Sequence, residues 1–211
     1  NTGTGKTAAF LIPLINKVLE NKDERVIIMA PTRELALQIE DEFRGFTRGL
    51  NLYSVSCIGG ANIRNQIIHL KRNPSFVIGT PGRLKDLVNR RCLILSSFNN
   101  VVLDEVDRML DMGFRDDIKL LISMLQDKRQ SLFFSATISK EVDVLIKGYL
   151  NNPVKVSVKS GDTADNIDQD VIKVADRSKK LEVLHDLLIK DEFKKVLIFG
   201  RTKYGVEDLS E

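Results

Sequence analysis

Apolar residues in this chain fall into two kinds of run that alternate along it. Short unbroken stretches at Arg25–Ala30 (Arg-Val-Ile-Ile-Met-Ala), Leu52–Ile58, Ser75–Thr80, Val101–Leu103 and Ser131–Ser135 have the length and β-branched content of strands buried on both faces. Between them lie segments with helical spacing: Ala8–Glu20, Glu34–Arg48 (with Leu35, Ile39, Phe43 and Phe46 on one side), Ile63–Arg72, Leu84–Arg90, Phe114–Leu125 and Lys140–Leu150. Pro31 stops the first strand, Pro81–Gly82 reads as a turn into a helix, and Pro13 is expected to strain the first turns of its helix. Pro153–Val158 alternates as an edge strand does. Strand and helix in regular alternation predict an α/β fold with a doubly wound parallel sheet.

The pattern breaks once. Lys159–Asn166 is small and polar, without an aliphatic anchor, and reads as a linker. Past it, Asp170–Val174 and Lys195–Gly200 are strand-like, and Lys179–Ile189 and Val206–Ser210 helical. The division expected is a first domain over 1–158, a linker over 159–166, and the beginning of a second domain over 167–211. Two strands and two helices are too few to close a core of their own.

Composition narrows the picture little. The 211 residues carry 32 basic and 29 acidic side chains, so a local basic surface is allowed but not required. Thirteen aromatics, ten of them Phe and none Trp, leave little for reading RNA base by base through stacking. Cys57 and Cys92 stand apart, which argues against a zinc site or a disulfide framework and for reduced residues. No apolar run is long enough to cross a bilayer and no signal peptide is evident, so an intracellular, cytoplasmic protein without a membrane partner is expected.

Two stretches carry candidate chemistry. Asn1–Thr7 (Asn-Thr-Gly-Thr-Gly-Lys-Thr) ends in the Gly-Lys-[Ser/Thr] of a phosphate-binding loop, whose first position would precede Asn1. Glycines there let backbone N–H groups curl round phosphate oxygens ahead of a helix N-terminus. Lys6 would reach the β- and γ-phosphates, and the Thr7 hydroxyl would ligate magnesium. The second stretch is Val101–Asp107, where an apolar strand runs into three acids. Asp104 can hold a hard cation and Glu105 can orient or deprotonate a water. Taken alone, the same residues also suit a strand ending in a solvated acidic turn.

With these stretches in order, the chain resembles the DEAD-box RNA helicases of helicase superfamily 2. Thr2–Thr7 matches motif I, Pro31–Ala36 (Pro-Thr-Arg-Glu-Leu-Ala) motif Ia, Gly59–Gly60 the double glycine, and Thr80–Arg83 (Thr-Pro-Gly-Arg) motif Ib. Asp104–Asp107 matches motif II with Val106 in place of the usual alanine, and Asp111–Phe114 (Asp-Met-Gly-Phe) follows as in that family. Ser135–Thr137 (Ser-Ala-Thr) matches motif III, and Ile198–Lys203 resembles motif IV. The Q motif and motifs V and VI would lie outside these residues.

The resemblance implies two RecA-like P-loop domains, the second only begun here, that close on ATP and single-stranded RNA. It implies that Thr2, Gly3, Thr4, Gly5, Lys6 and Thr7 bind ATP. Thr7 and Asp104 would hold Mg2+, and Lys6, Asp104 and Glu105 would serve hydrolysis. Pro31, Thr32, Arg33, Gly59, Gly60, Thr80, Pro81, Gly82 and Arg83 would meet RNA, with Thr202 a weaker candidate. Asp107, Ser135, Ala136 and Thr137 would couple the nucleotide to the domain interface, although Ser135–Thr137 alone would read as a strand-ending turn. Hydroxyls, glycine backbone and arginine suit contacts to sugar and phosphate, which position a strand without reading its sequence. Two other classes stay open: a P-loop enzyme acting on small metabolites, and a non-catalytic RNA clamp.

Overall fold

The computed structural model describes residues 5–157, 168, 170–174, 176–207 and 209. The chain divides into two compact units, Asn1–Val154 and Lys155–Glu211. In the first, five strands form one parallel sheet: β1 (Val26–Met29), β2 (Ser54–Cys57), β3 (Phe76–Gly79), β4 (Asn100–Leu103) and β5 (Gln130–Phe133), in the order β2-β3-β1-β4-β5. The helices before, between and after them are α1 (Lys6–Glu20), α2 (Arg33–Phe46), α3 (Ile63–Leu70), α4 (Pro81–Asn89), α5 (Val106–Asp111), α6 (Arg115–Ser123) and α7 (Lys140–Tyr149).

Strand side chains alternate between two cores. Val26, Ile28, Phe76, Ile78 and Val102 pack with Phe10, Leu11 and Val18 of α1 and Ala36, Ile39 and Phe43 of α2. Ile27, Met29, Val77, Val101 and Leu103 face the other way, against Leu84 and Leu87 of α4, Ile118 and Leu121 of α6, and Val142 and Leu145 of α7. Helices on both faces leave no wet side, which is why β1, β3 and β4 are buried throughout. On α2 the predicted apolar side shifts: Ala36, Ile39 and Phe43 are buried, while Phe46 is exposed.

Several boundaries depart from the sequence pattern. Pro81 and Gly82 form the first turn of α4, because proline at the first helical position gives up an N–H that has no partner there anyway. The region after the acidic strand holds two helices rather than one: α5 begins directly after Glu105 and ends at Met112–Gly113, where Gly113 takes a positive φ of 84°. Pro13 sits within a continuous α1 on its exposed side.

In the second unit the described residues hold α8 (Lys180–Leu188) and α9 (Lys203–Glu207), but no strand. The strands expected at Asp170–Val174 and Lys195–Gly200 are therefore absent. Within Pro153–Val158, residues 153–157 are also unpaired and Val158 lies outside the described residues, as does the expected linker 159–166. A strand exists only through ladder bonds to a neighbour, and apolar alternation alone supplies none. No described helix is long and apolar enough to cross a membrane.

At the amino edge of the sheet, a polar network replaces packing. Asn100 is buried; its carbonyl oxygen accepts from Lys17 Nζ at 2.8 Å, and its amide donates to Glu24 Oε2 at 2.7 Å and to the Arg25 carbonyl at 3.2 Å. Asn100→Ala should strand these partners and lower stability by about 1–3 kcal/mol. Urea unfolding should show an earlier midpoint with unchanged slope; an unmoved midpoint would contradict the assignment.

Candidate functional site

Register decides what gathers at the carboxyl edge. Met29 pairs with Gly79 and Leu103, Gly79 with Cys57, and Leu103 with Phe133, so all five strands end at one level. The residues that follow each strand therefore form one rim. Open parallel sheets bind ligands along that rim.

One part of the rim is anionic. Asp104 follows β4, its N–H bonded to the Met29 carbonyl at 2.9 Å, and it is only 4 % exposed. Burial pushes its carboxyl above the usual range, against the pull of Lys6's positive charge and of the Glu105 N–H, which reaches Asp104 Oδ1 at 3.0 Å. Glu105 takes a left-handed backbone (φ 51°, ψ 54°), a strained conformation for a residue other than glycine, and so turns the chain sharply into α5. Its carboxylate meets Arg108 Nη1 at 3.1 Å.

Facing it is the start of α1. Gly5 caps this helix at φ 73°, a conformation that side chains rarely adopt, and its carbonyl accepts from Ala9 N–H at 3.0 Å. No acid occupies the first turn and no side chain caps it, so the first N–H groups and the Lys6 ammonium make a positive end. Thr2, Gly3 and Thr4 lie outside the described residues. Magnesium fits this donor set: a buried carboxylate and a threonine hydroxyl are hard oxygen ligands. Among the described residues no cluster of three or more acidic, His or Cys side chains forms a cage, so Asp104 and Thr7 would need phosphate oxygens and water to complete a shell.

Asp107 joins two strand ends. Its Oδ2 accepts from the Thr137 hydroxyl at 2.8 Å and N–H at 2.9 Å, while its own N–H meets Ser135 Oγ at 3.3 Å. Ser135 Oγ in turn donates to the Thr137 carbonyl at 2.7 Å. Burial alone would raise the Asp107 carboxyl; the hydrogen bonds from Thr137, the Arg108 N–H and Ser135 outweigh it and hold the group below its usual range. Ala136 lies exposed between the two bonded residues.

The other half of the rim is a groove of about 570 Å³ lined by Pro31, Thr32, Arg33, Gly59, Thr80, Gly82 and Arg83, with Glu34 and Asp86 alongside. Thr32 caps α2, its hydroxyl accepting from Leu35 N–H at 3.2 Å. Thr80 holds the same position on α4 without a side-chain capping bond. The Arg33 guanidinium lies over Gly59 and Gly60, so close that a side chain on Gly60 would collide with it; Gly60 also has a positive φ of 78°. Arg83 is turned inward: Nη1 donates to the Ala61 carbonyl at 3.3 Å and to Gln66 Oε1 at 3.0 Å. Met112 and Phe114 form an apolar wall of the groove, and Met112 is 49 % exposed. Thr202 belongs to the second unit, where its hydroxyl accepts from Gly205 N–H at 3.1 Å at the start of α9.

Sequence reasoning assigned no role to Met112, Phe114, Arg108 or Gln66. For Arg108 a signal existed, since an acid and a base three apart on a helix start are neighbours. The others are placed by tertiary packing alone.

A positive helix end opposite a buried carboxylate, beside a hydroxyl- and glycine-lined groove on a parallel sheet, marks an α/β protein with its chemistry on one rim. A family model described as DEAD/DEAH box helicase matches residues 1–145, and the chain belongs to that family. It is 42% identical over 212 aligned residues to the DEAD-box ATP-dependent RNA helicase CshA of Bacillus subtilis, aligning over 100% of this chain and 43% of that protein. The RNA helicase CrhR of a Synechocystis strain is 39% identical over 210 residues, covering 99% of this chain and 43% of the relative. The chain thus spans less than half the length of these curated relatives. A crystal structure of a DEAD box protein from Methanococcus jannaschii superposes with a TM-score of 0.72 at 38% identity, covering 100% of this chain and 56% of that one.

Keeping a carboxylate charged while buried costs stability, so Asp104 works against the fold in the ligand-free protein. Its pKa is higher folded than unfolded, so the folded state takes up the proton first as pH falls. The penalty is absent below the unfolded value and complete above the folded one. Asp104→Asn should therefore melt at a higher temperature than the parent at pH 7, with the gap closing toward pH 4. A lower melting temperature for Asp104→Asn at pH 7 would overturn this.

Proposed function

We propose that this chain is the nucleotide- and RNA-binding portion of an ATP-dependent RNA helicase. The observation that carries this reading is the shared rim: the buried Asp104 near Lys6, and the groove of Thr32, Gly59 and Thr80, stand on neighbouring strand ends of one rigid sheet. Gly5 and the N–H groups of α1, with Thr2, Gly3 and Thr4 ahead of them, bind ATP phosphates, and Lys6 faces the β- and γ-phosphates. Thr7 and Asp104 hold magnesium, which when bound neutralises phosphate charge. Glu105 orients the attacking water once its carboxylate leaves Arg108. Asp107, Ser135, Ala136 and Thr137 transmit the state of the nucleotide site, because their hydrogen bonds span two strand ends that must move together.

Pro31, Thr32, Arg33, Gly59, Gly60, Thr80, Pro81, Gly82 and Arg83 form the RNA face of the first unit, and Thr202, in the second unit, is a separate and weaker RNA-contact candidate. Residues 1–158 act as the first RecA-like domain, and 167–211, after a linker over 159–166, as the beginning of the second. ATP and RNA binding favour the same closed state and so support each other, which parts short duplexes or remodels RNA–protein complexes. Such a protein works in the cytoplasm, where both ligands are found.

In the full-length protein, Lys6→Ala should weaken ATP binding. Glu105→Gln should keep ATP binding and lower RNA-stimulated turnover by about 10²–10⁴-fold. Normal stimulated turnover in Glu105→Gln would remove Glu105 from this role, and turnover indifferent to RNA would favour a small-metabolite enzyme. A separate measurement tests the groove. Single-stranded homopolymers and mixed sequences should bind about equally, and Arg33→Ala should weaken all of them alike while reducing the salt slope by about 0.7. A preference of about a hundredfold for one short sequence, lost in Arg33→Ala, would contradict backbone-directed binding.

A further inference from the structure

We infer that Gln66, a residue of α3 outside every motif, is a positioning residue for RNA, and that Arg83 serves the groove through it. This rests on the RNA reading of the groove given above. Gln66 is only 5 % exposed, so its amide must find partners inside the protein. Both ends do: Nε2 donates to the Ile58 carbonyl at 3.0 Å, and Oε1 accepts from Arg83 Nη1 at 3.0 Å. The partners fix the amide's orientation, since a carbonyl only accepts and a guanidinium only donates.

Ile58 and Ala61 bracket Gly59 and Gly60. Gln66 holds the first, and Arg83 Nη1 holds the second through the Ala61 carbonyl at 3.3 Å. The double glycine is thereby pinned at both ends by two side chains that also bond each other. Glycines give the loop its close approach to a ligand but leave it many conformations, so something else must select one. Arg83 suits that task better than a phosphate contact: its side chain is only 14 % exposed and its Nε lies 4.0 Å from Asp86 Oδ2. Arg33, which lies over the glycines from the groove side, is the arginine left to face a phosphate.

The two roles separate by salt. An arginine on a phosphate releases a counterion when RNA binds, and its removal changes the slope of log affinity against log salt; an arginine that shapes a loop does not. The test is binding of labelled single-stranded oligo(U) by the full-length protein, with a non-hydrolysable ATP analogue, from low to moderate salt. Gln66→Leu and Arg83→Ala should each weaken binding about 2- to 10-fold, the worth of a buried hydrogen bond, at unchanged salt slope. The double variant should lose less than the two single losses combined, because the residues act as a unit. Arg33→Ala should reduce the slope by about 0.7.

A slope reduced in Arg83→Ala as in Arg33→Ala would place Arg83 on a phosphate and overturn the inference. So would parental affinity in Gln66→Leu, or fully additive losses. Should Gln66→Leu lack a cooperative melt, Gln66→Met takes its place with the same expectation, since it keeps the side-chain volume and neutrality while losing both hydrogen bonds. A parent that binds oligo(U) without salt dependence, or not at all, would instead sink the RNA reading, and this inference with it.

Discussion

Everything in the first unit depends on a sheet covered on both faces. Strands β1, β3 and β4 bury every side chain, so neither face of the sheet can carry a polar group without a partner. Polar chemistry is driven to the strand ends, where the chain must leave the sheet and turn. Parallel pairing then sends every strand's carboxyl end to the same rim. The common register makes that rim level, which is why side chains far apart in sequence share one site.

The rim bears features a stability-optimised protein would lack. Asp104 keeps a carboxylate in a place that disfavours its charge, and Glu105 holds a backbone conformation usually left to glycine or asparagine. Neither would persist in a loose loop. Both are held because Asp104's N–H is tied to β1 and Val106's to the Phe134 carbonyl at 3.0 Å, so the turn is spanned by the sheet on either side. The Asp107–Thr137 bonds extend the same bracing toward the end of β5.

The groove obeys a different rule. Arg33 and Arg83 are offset by Glu34 and Asp86 along its walls, so little net positive charge is available to attract a polyanion at long range. On the RNA-binding reading proposed above, affinity comes from short contacts, from hydroxyls and N–H groups at the starts of α2 and α4 and from glycine backbone. Contacts of that kind demand a pre-shaped surface, because each ordering cost subtracts from a small gain. The Gln66–Arg83 pair, bonded to the carbonyls of Ile58 and Ala61 on either side of the double glycine, suits that demand.

Much of this was legible in the residues themselves. The apolar runs marked all five strands of the sheet, because burial on two faces requires such runs, although similar runs past residue 152 form no strand among the described residues. Gly5–Thr7 and Asp104–Glu105 could be read as candidates from their residue types, since phosphate and metal chemistry requires those types in sequence, whereas the Thr32, Gly59 and Thr80 segments were marked only by the family resemblance. The strands expected past residue 152 were not found among the described residues, because a ladder needs a partner that apolar alternation cannot supply. Tertiary structure alone turned Arg83 inward and enlisted Gln66. It also set Met112 and Phe114 against the groove and tied Asp107 to Thr137. These are contacts between segments distant in the chain, decided by which strand ends the sheet brings together and by nothing local to either residue.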